Sequence, residues 1–216
     1  MSKCTRRRGQ PVTPSICPSL ERSLLSNLRE SVLAVVKEHG LETRAEPFTL
    51  ASGERSHNYL DGKKALAAGP HLRIACQAMI ELAQDEGADF DAVGGLTLGA
   101  DAFGTGIALL TETSWFVVRK AAKEHGKGRR IEGTKLGPGV RVLLVDDVVT
   151  TGGSILEALA AVQATGASIA LAVTLVDRGD VAAERLRGAG VAYRPLITYR
   201  DLGIEPVGRA RPVAVG

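Results

Sequence analysis

Asp146 and Asp147 stand side by side at the end of the apolar run Val142-Leu143-Leu144-Val145, and Val148, Val149, Thr150, Thr151, Gly152, Gly153 and Ser154 follow at once. An amphipathic stretch then runs from Ile155 to Ala164 and stops at Gly166. The pattern reads as a buried strand, a small hydroxyl-rich loop at its C-terminal end, and a helix whose N-terminus faces back toward the loop. Free N–H groups at a glycine-rich helix N-terminus suit a phosphate. Two adjacent carboxylates cannot bind phosphate, but they accept hydrogen bonds from vicinal hydroxyls and can help to hold a hydrated Mg²⁺ nearby. Phosphate at one end and a sugar diol at the other describe a ribose 5-phosphate. An ordinary strand end with a capped helix would need neither the acidic pair nor the Thr-Thr-Gly-Gly-Ser turn. No Gly-Lys-Ser/Thr follows a strand, so a Walker A loop is excluded, and this turn has no G-x-G-x-x-G pattern.

A second group of residues carries the opposite charge. Phe116-Val-Val brings in Arg119 and Lys120, with Lys123 and His125 just after, and Ile131-Glu-Gly133 closes a stretch rich in glycine and charge. One arginine, two lysines and a histidine within seven residues suit a diphosphate leaving group. Lys120–Gly139 is twenty residues long. A polar loop of that length inside a compact domain is a functional lid or a disordered segment.

These loops need a scaffold, and alternating elements supply it. Ser19 can cap a helix carrying Leu20, Leu24, Leu28, Val32 and Val35 that ends at Gly40. Two short extended segments follow, Phe48–Leu50 and His57–Leu60, with a turn at Ser52-Gly53. A helix runs from Pro70 to Glu86, then a strand near Phe90–Gly94, a glycine-rich turn, and a helix to Leu110. Trp115–Arg119 is a strand whose tryptophan is assigned to the core. After the Asp146 motif come a strand at Ile169–Val176, a short helix from Asp180 and a strand near Tyr193–Thr198. Apolar strands alternating with helices predict an α/β fold, a parallel β-sheet flanked by helices. Ligands of such sheets bind beyond the C-terminal strand ends. Residues 95–99, 120–139, 146–154 and the turn Asp177-Arg178-Gly179 fall there.

The Asp146 motif resembles the phosphoribosyl pyrophosphate motif of the type I phosphoribosyltransferases. Arg119-Lys120-x-x-Lys123-x-His125-Gly126 resembles the mobile catalytic loop of the orotate phosphoribosyltransferases within that group. Two further pieces agree: Phe48-Thr-Leu-Ala-Ser-Gly-Glu-Arg-Ser-His-Asn-Tyr-Leu-Asp61 is similar to the family's N-terminal signature, and Arg178 stands where the family places the arginine for the orotate carboxylate. The resemblance runs from about residue 22 to residue 203. It implies the type I core with a small N-terminal hood and a long mobile catalytic loop. It implies transfer of ribose 5-phosphate from phosphoribosyl pyrophosphate to orotate, giving orotidine 5′-monophosphate and pyrophosphate, with Mg²⁺ as cofactor.

On that reading Arg119, Lys120, Lys123, His125 and Asp147 are catalytic. The ribosyl donor is held by Thr97, Leu98, Arg119, Lys120, Lys123, His125, Asp146, Asp147, Val148, Val149, Thr150, Thr151, Gly152, Gly153 and Ser154. Thr150 and Arg178 contact orotate, and the Mg²⁺ rides on substrate pyrophosphate and ribose oxygens with Asp146 and Asp147 nearby. A homodimer is implied, with lid residues shared between subunits. Two positions depart from the pattern. Ala51 and Leu98 stand where relatives carry lysines, which leaves more charge neutralisation to Arg119, Lys120, Lys123 and Mg²⁺. Two other readings stay open. A purine or uracil phosphoribosyltransferase would carry a different lid, and a non-catalytic regulator binding phosphoribosyl pyrophosphate would have lost its lid lysines or gained a DNA-binding domain.

Composition narrows the setting. The chain has 216 residues and net charge +3, and the first 22 residues hold Lys3, Arg6, Arg7, Arg8 and Arg22 against Glu21 alone. The remainder is close to neutral, so no broad basic face for nucleic acid is expected. Residues 1–18, broken by Pro11, Pro14 and Pro18, are expected to form a disordered basic tail. Residues 19–203 form the phosphoribosyltransferase domain and 204–216 a C-terminal tail. Cys4, Cys17 and Cys76 fit neither a zinc site nor a disulfide framework. With no apolar run long enough to span a membrane, a cytoplasmic protein is expected.

Overall fold

The computed structural model describes residues 18–49, 53–121 and 130–208. The expected tail at 1–17, Ala51, Lys123 and His125 lie outside the described residues.

The main sheet has six strands in the order β5-β4-β3-β6-β7-β8. They are β3 (Ala92–Leu96), β4 (Ser114–Val118), β5 (Ile131–Gly133), β6 (Arg141–Val149), β7 (Ser168–Asp177) and β8 (Tyr193–Thr198). Every pairing is parallel except β4 with β5. Alternation along β6 shows how the sheet fills two cores. Leu143 and Val145 face one cluster with Val173, Leu175 and Ile197, against α1 (Pro18–Val35), α3 (Gly69–Asp85) and α4 (Asp101–Thr111). Val142 and Leu144 face the other with Phe116, against α5 (Gly153–Gln163) and α6 (Ala182–Gly188). Successive strand residues point to opposite faces, so a run apolar at every position belongs between two helical layers. The helices match: α5 buries Ile155, Ala158, Leu159 and Val162, and α3 buries Ala75, Cys76, Met79 and Ala83, each set one helical face.

The expected N-terminal hood is present. After α1 the chain makes one π-helical turn, Val36–Gly40, and enters a two-stranded antiparallel sheet, β1 (Leu41–Thr49) with β2 (Arg55–Leu60). The first extended segment therefore starts seven residues before Phe48, because its outward face is charged and carries no alternation to read. Asp61 caps the short helix α2 (Gly62–Ala65) by accepting from Lys64 N at 2.9 Å, and a last short helix, α7 (Tyr199–Leu202), follows β8. Residues 204–208 stay against the domain: Val207 N donates to Arg178 O at 2.8 Å and Gly208 N donates to Glu54.

Three expectations need correction. Lys120–Gly139 is not one uninterrupted loop. Ile131–Gly133 pairs with Val118–Phe116 as an antiparallel edge strand, so the polar excursion returns to the sheet at Arg130. Three residues are too few to show a period in sequence. Trp115 is not core: its place on β4 turns it outward, and it is 46% exposed. The strand that carries the acidic pair, expected to end at Asp146, does not stop there. It continues through Val149, pairing Asp146 with Thr174 and Val149 with Asp177.

Candidate active site

The C-terminal ends of β3, β4 and β6 open into a cavity of about 530 Å³. Thr97, Leu98, Arg119, Lys120, Asp146, Asp147, Val148 and Ser154, all expected from sequence, line it. A smaller hollow of about 130 Å³ adjoins it at Val148–Ser154.

The hollow is built by the turn into α5. Gly152 takes φ +76°, which a side chain would resist, and no side chain caps the helix. The first N–H groups of an eleven-residue helix therefore face the hollow without a side-chain acceptor, an arrangement that attracts an anion. Thr151 O is tied to the Arg185 guanidinium, which holds the turn against α6. Val149 is placed differently from its neighbours: its side chain is in the core and its carbonyl accepts from Arg178 N at 2.7 Å.

Asp146 and Asp147 sit in the C-terminal half of β6, with Val148 and Val149 still in the ladder after them. Asp146 is 4% exposed and its Oδ1 accepts from Asp147 N at 3.0 Å. Burial, and then the neighbouring Asp147 charge, push its carboxyl well above the usual carboxylate range. Asp147 Oδ1 accepts from Val148 N at 2.7 Å, and its Oδ2 pairs with Lys63 Nζ at 2.6 Å. Gly99 brings the loop after β3 directly onto this pair. A Cβ there would lie 2.2 Å from Asp146 Oδ1, so only glycine permits the approach. The Thr97–Leu98 peptide in the same loop is cis, and Leu98 is 74% exposed.

The cationic side of the cavity is braced at its root. Arg119 N donates to Arg130 O at 2.8 Å, and the Arg119 guanidinium pairs with Glu132 at 3.0 Å. The Arg130 guanidinium donates back to Arg119 O at 3.0 and 3.1 Å and to Lys120 O at 3.3 Å, and it pairs with Glu157 on α5. Arg130 thus ties both ends of the 119–130 excursion together and to the helix that borders the hollow.

Arg178 lines neither cavity. It is 3% exposed, and its guanidinium donates to Asn58 O at 3.0 Å and reaches Ser56 Oγ at 3.5 Å, both on β2. Its Nε is buried without a partner among the described residues, and burial lowers the guanidinium's pKa. The turn that carries it is held by Asp177, which accepts from Gly179 N at 2.9 Å and from the Tyr193 hydroxyl at 3.1 Å. Gly179 packs on the Thr150 carbonyl, so Thr150 and Arg178 are neighbours as expected.

Sequence reading missed two residues here. Lys63 lines the main cavity and pairs with Asp147; its signal was its place two residues after Asp61, the end of the N-terminal signature. Arg130 was lost among the charges of its segment. No group of three or more His, Cys, Asp or Glu side chains is poised for a metal ion among the described residues. Among the described residues, the carboxylates that line the cavity are Asp146 and Asp147. That suits an ion carried in on substrate oxygens, because Mg²⁺ commonly takes one or two carboxylates plus phosphate oxygens. No helix of the described residues is long and apolar enough to cross a membrane.

A sequence model of the phosphoribosyl transferase domain matches residues 62–189. The orotate phosphoribosyltransferase of Corynebacterium glutamicum is 39% identical over 189 residues, covering 87% of this chain and 98% of that protein. The orotate phosphoribosyltransferase of Streptomyces avermitilis is 42% identical over 191 residues, covering 84% of this chain and 100% of that one. Among solved structures, Mycobacterium tuberculosis orotate phosphoribosyltransferase in complex with 5-phospho-α-D-ribosyl 1-diphosphate is similar with a TM-score of 0.67 and 34% identity, over 82% of this chain and 99% of that chain.

Proposed function

Because the chain belongs to the orotate phosphoribosyltransferase family, within the phosphoribosyl transferase domains, we infer how its crevice performs the family's reaction. The protein is a pentosyltransferase of pyrimidine biosynthesis. It moves ribose 5-phosphate from phosphoribosyl pyrophosphate to orotate, giving orotidine 5′-monophosphate and pyrophosphate. One observation carries the assignment of the site: an uncapped helix N-terminus, a carboxylate pair and a cationic wall lie in that order along the C-terminal sheet edge.

The 5′-phosphate takes the hollow at Thr150–Ser154, where backbone N–H groups and the Thr150, Thr151 and Ser154 hydroxyls donate to it. Asp147 and Asp146 accept from the ribose hydroxyls. The diphosphate lies in the larger cavity, against the 96–99 loop and the Arg119–Lys120 wall. Lys123 and His125, outside the described residues, add a cation and a proton donor there. Asp146 and Asp147 would help to hold a Mg²⁺ ion brought in with the substrate, which would supply further charge neutralisation. Departure of pyrophosphate from C1 develops an oxocarbenium-like ribosyl centre. Orotate is already an anion, so the protein's main task is to stabilise the charge moving onto the leaving group, and fixed cations do that without reorganising. Orotate sits on the Thr150 and Arg178 side, where a guanidinium that shifts from its β2 contacts would give a carboxylate the planar donor set it matches. A homodimer fits the exposed Leu109 and Trp115, apolar side chains that a second subunit would cover.

The test of the site is Arg178→Ala with two titrations. The Michaelis constant for orotate should rise roughly tenfold or more while that for phosphoribosyl pyrophosphate changes little, since a charge-assisted contact is worth about 1.5–3 kcal/mol. Because Arg178 also anchors β2 through Asn58 O, the thermal midpoint is recorded alongside. A shift confined to phosphoribosyl pyrophosphate would make Arg178 a phosphate ligand instead.

A further inference from the structure

We propose that Lys63 is a ligand of the donor's diphosphate, paired with Asp147 until the ribose hydroxyls arrive and release it. This rests on the reading of the crevice given above and adds to it a residue that neither motif contains.

The charge around the cavity motivates it. Among the described residues lining the cavity, three side chains are cationic: Lys63, Arg119 and Lys120. Arg119 is committed to Glu132 at 3.0 Å. The loop that floors the cavity, Leu96-Thr97-Leu98-Gly99, has no charge at all. Asp61, Asp101, Asp146 and Asp147 are all close enough for their charges to act on, or be acted on by, the Lys63 ammonium. Asp146 and Asp147 line the cavity itself, and a diphosphate entering beside them is repelled unless a cation stands between. Lys63 is the side chain in that position, with Nζ 2.6 Å from Asp147 Oδ2.

Its mounting suits a movable head on a fixed base. α2 is anchored by the Asp61 cap, and Gly62 packs onto Val148 and Asp147 so closely that a Cβ would lie 3.2 Å from Val148 Cγ2. The Lys63 side chain itself is 58% exposed. A lysine stem is flexible and its ammonium donates in three directions, so the head can leave Asp147 for an anion without moving the backbone. When the neutral diol takes the Asp147 oxygens, the pair loses its geometry and the ammonium is freed beside the incoming diphosphate.

The experiment compares Lys63→Met, which keeps the stem, with Lys63→Arg, which keeps the charge, in the full chain. Calorimetry is run with inorganic pyrophosphate plus Mg²⁺ and, separately, with ribose 5-phosphate. Lys63→Met should weaken pyrophosphate roughly tenfold or more, the loss of one charge-assisted contact. Its affinity for ribose 5-phosphate should change by less than about threefold, and Lys63→Arg should recover most of the pyrophosphate affinity. Unchanged pyrophosphate binding in Lys63→Met overturns the proposal. An equal loss for both probes overturns it too, since Lys63 would then act only by positioning Asp147. Wild-type protein that binds neither probe contradicts the reading of the crevice itself, and this role with it.

Discussion

Asp146 is held in a state that costs the fold something. A carboxylate with 4% exposure, beside a second carboxylate, holds its proton to higher pH than the unfolded chain does. Between the ordinary carboxylate range and that raised value, the native state binds a proton that the unfolded state has lost. Stability contributed by Asp146 is therefore full below the ordinary range and falls as pH rises through the raised value. Asp146→Asn removes that loss and keeps an acceptor for Asp147 N. The variant should melt no lower than wild type at pH 8, with the difference closing as pH falls toward 4. Its kcat/KM for phosphoribosyl pyrophosphate should drop roughly 10- to 100-fold, the range expected for losing a charged acceptor. Parallel melts and initial rates check both. A variant that melts well below wild type at pH 8 and keeps its activity would make Asp146 a structural residue. The residue type and adjacency of this pair were plain in the sequence because the chemistry needs them together. Lys63 was not, because 84 residues separate it from Asp147 and only the packing of α2 on β6 brings them together.

The elements that carry the site were legible to different degrees for physical reasons. β6 is a continuous apolar run and α3 and α5 are long and periodic, and the sequence reading found them with small errors at their ends. β5 escaped because a three-residue edge strand is defined by its partner, β4, rather than by its own pattern. Trp115 was assigned to the core from its size and its strand. Side-chain direction on an edge-side strand depends on what covers each face, which sequence alone does not state. The corrected element has a consequence. Arg130 joins the end of β4 to the start of β5 and to α5, so it sets where Arg119 and Lys120 stand. Arg130→Ala should cut turnover about tenfold while the thermal midpoint moves by only a few degrees, because surface pairs contribute little to stability and misplaced charges cost rate. Turnover within a factor of two of wild type would mean the loop root is held by β4–β5 pairing alone.

At the scale of the whole molecule, the sheet explains why residues scattered from Lys63 to Arg178 meet. Parallel strands put all their C-terminal ends on one edge, and the strand order places β6 between β3 and β7, so the phosphate turn, the carboxylate pair, the cationic wall and Arg178 share that edge. The hood brings Lys63 and the β2 backbone over it from the other side. The fold class was read from alternation alone, and the hood from its resemblance to a known signature. On the proposed reading Arg178 and its surroundings select the base, and one measurement addresses it directly. Purified chain is mixed with phosphoribosyl pyrophosphate and Mg²⁺, then with orotate, uracil, adenine or hypoxanthine in turn, and base consumption is followed by absorbance with pyrophosphate release measured in the same sample. Orotate should be consumed with one pyrophosphate released per base, and the other three should react at least about 100-fold more slowly, as expected of a site with a buried charged group matched to one substrate. No loss of orotate under these conditions, or faster consumption of any of the other bases, would contradict the account.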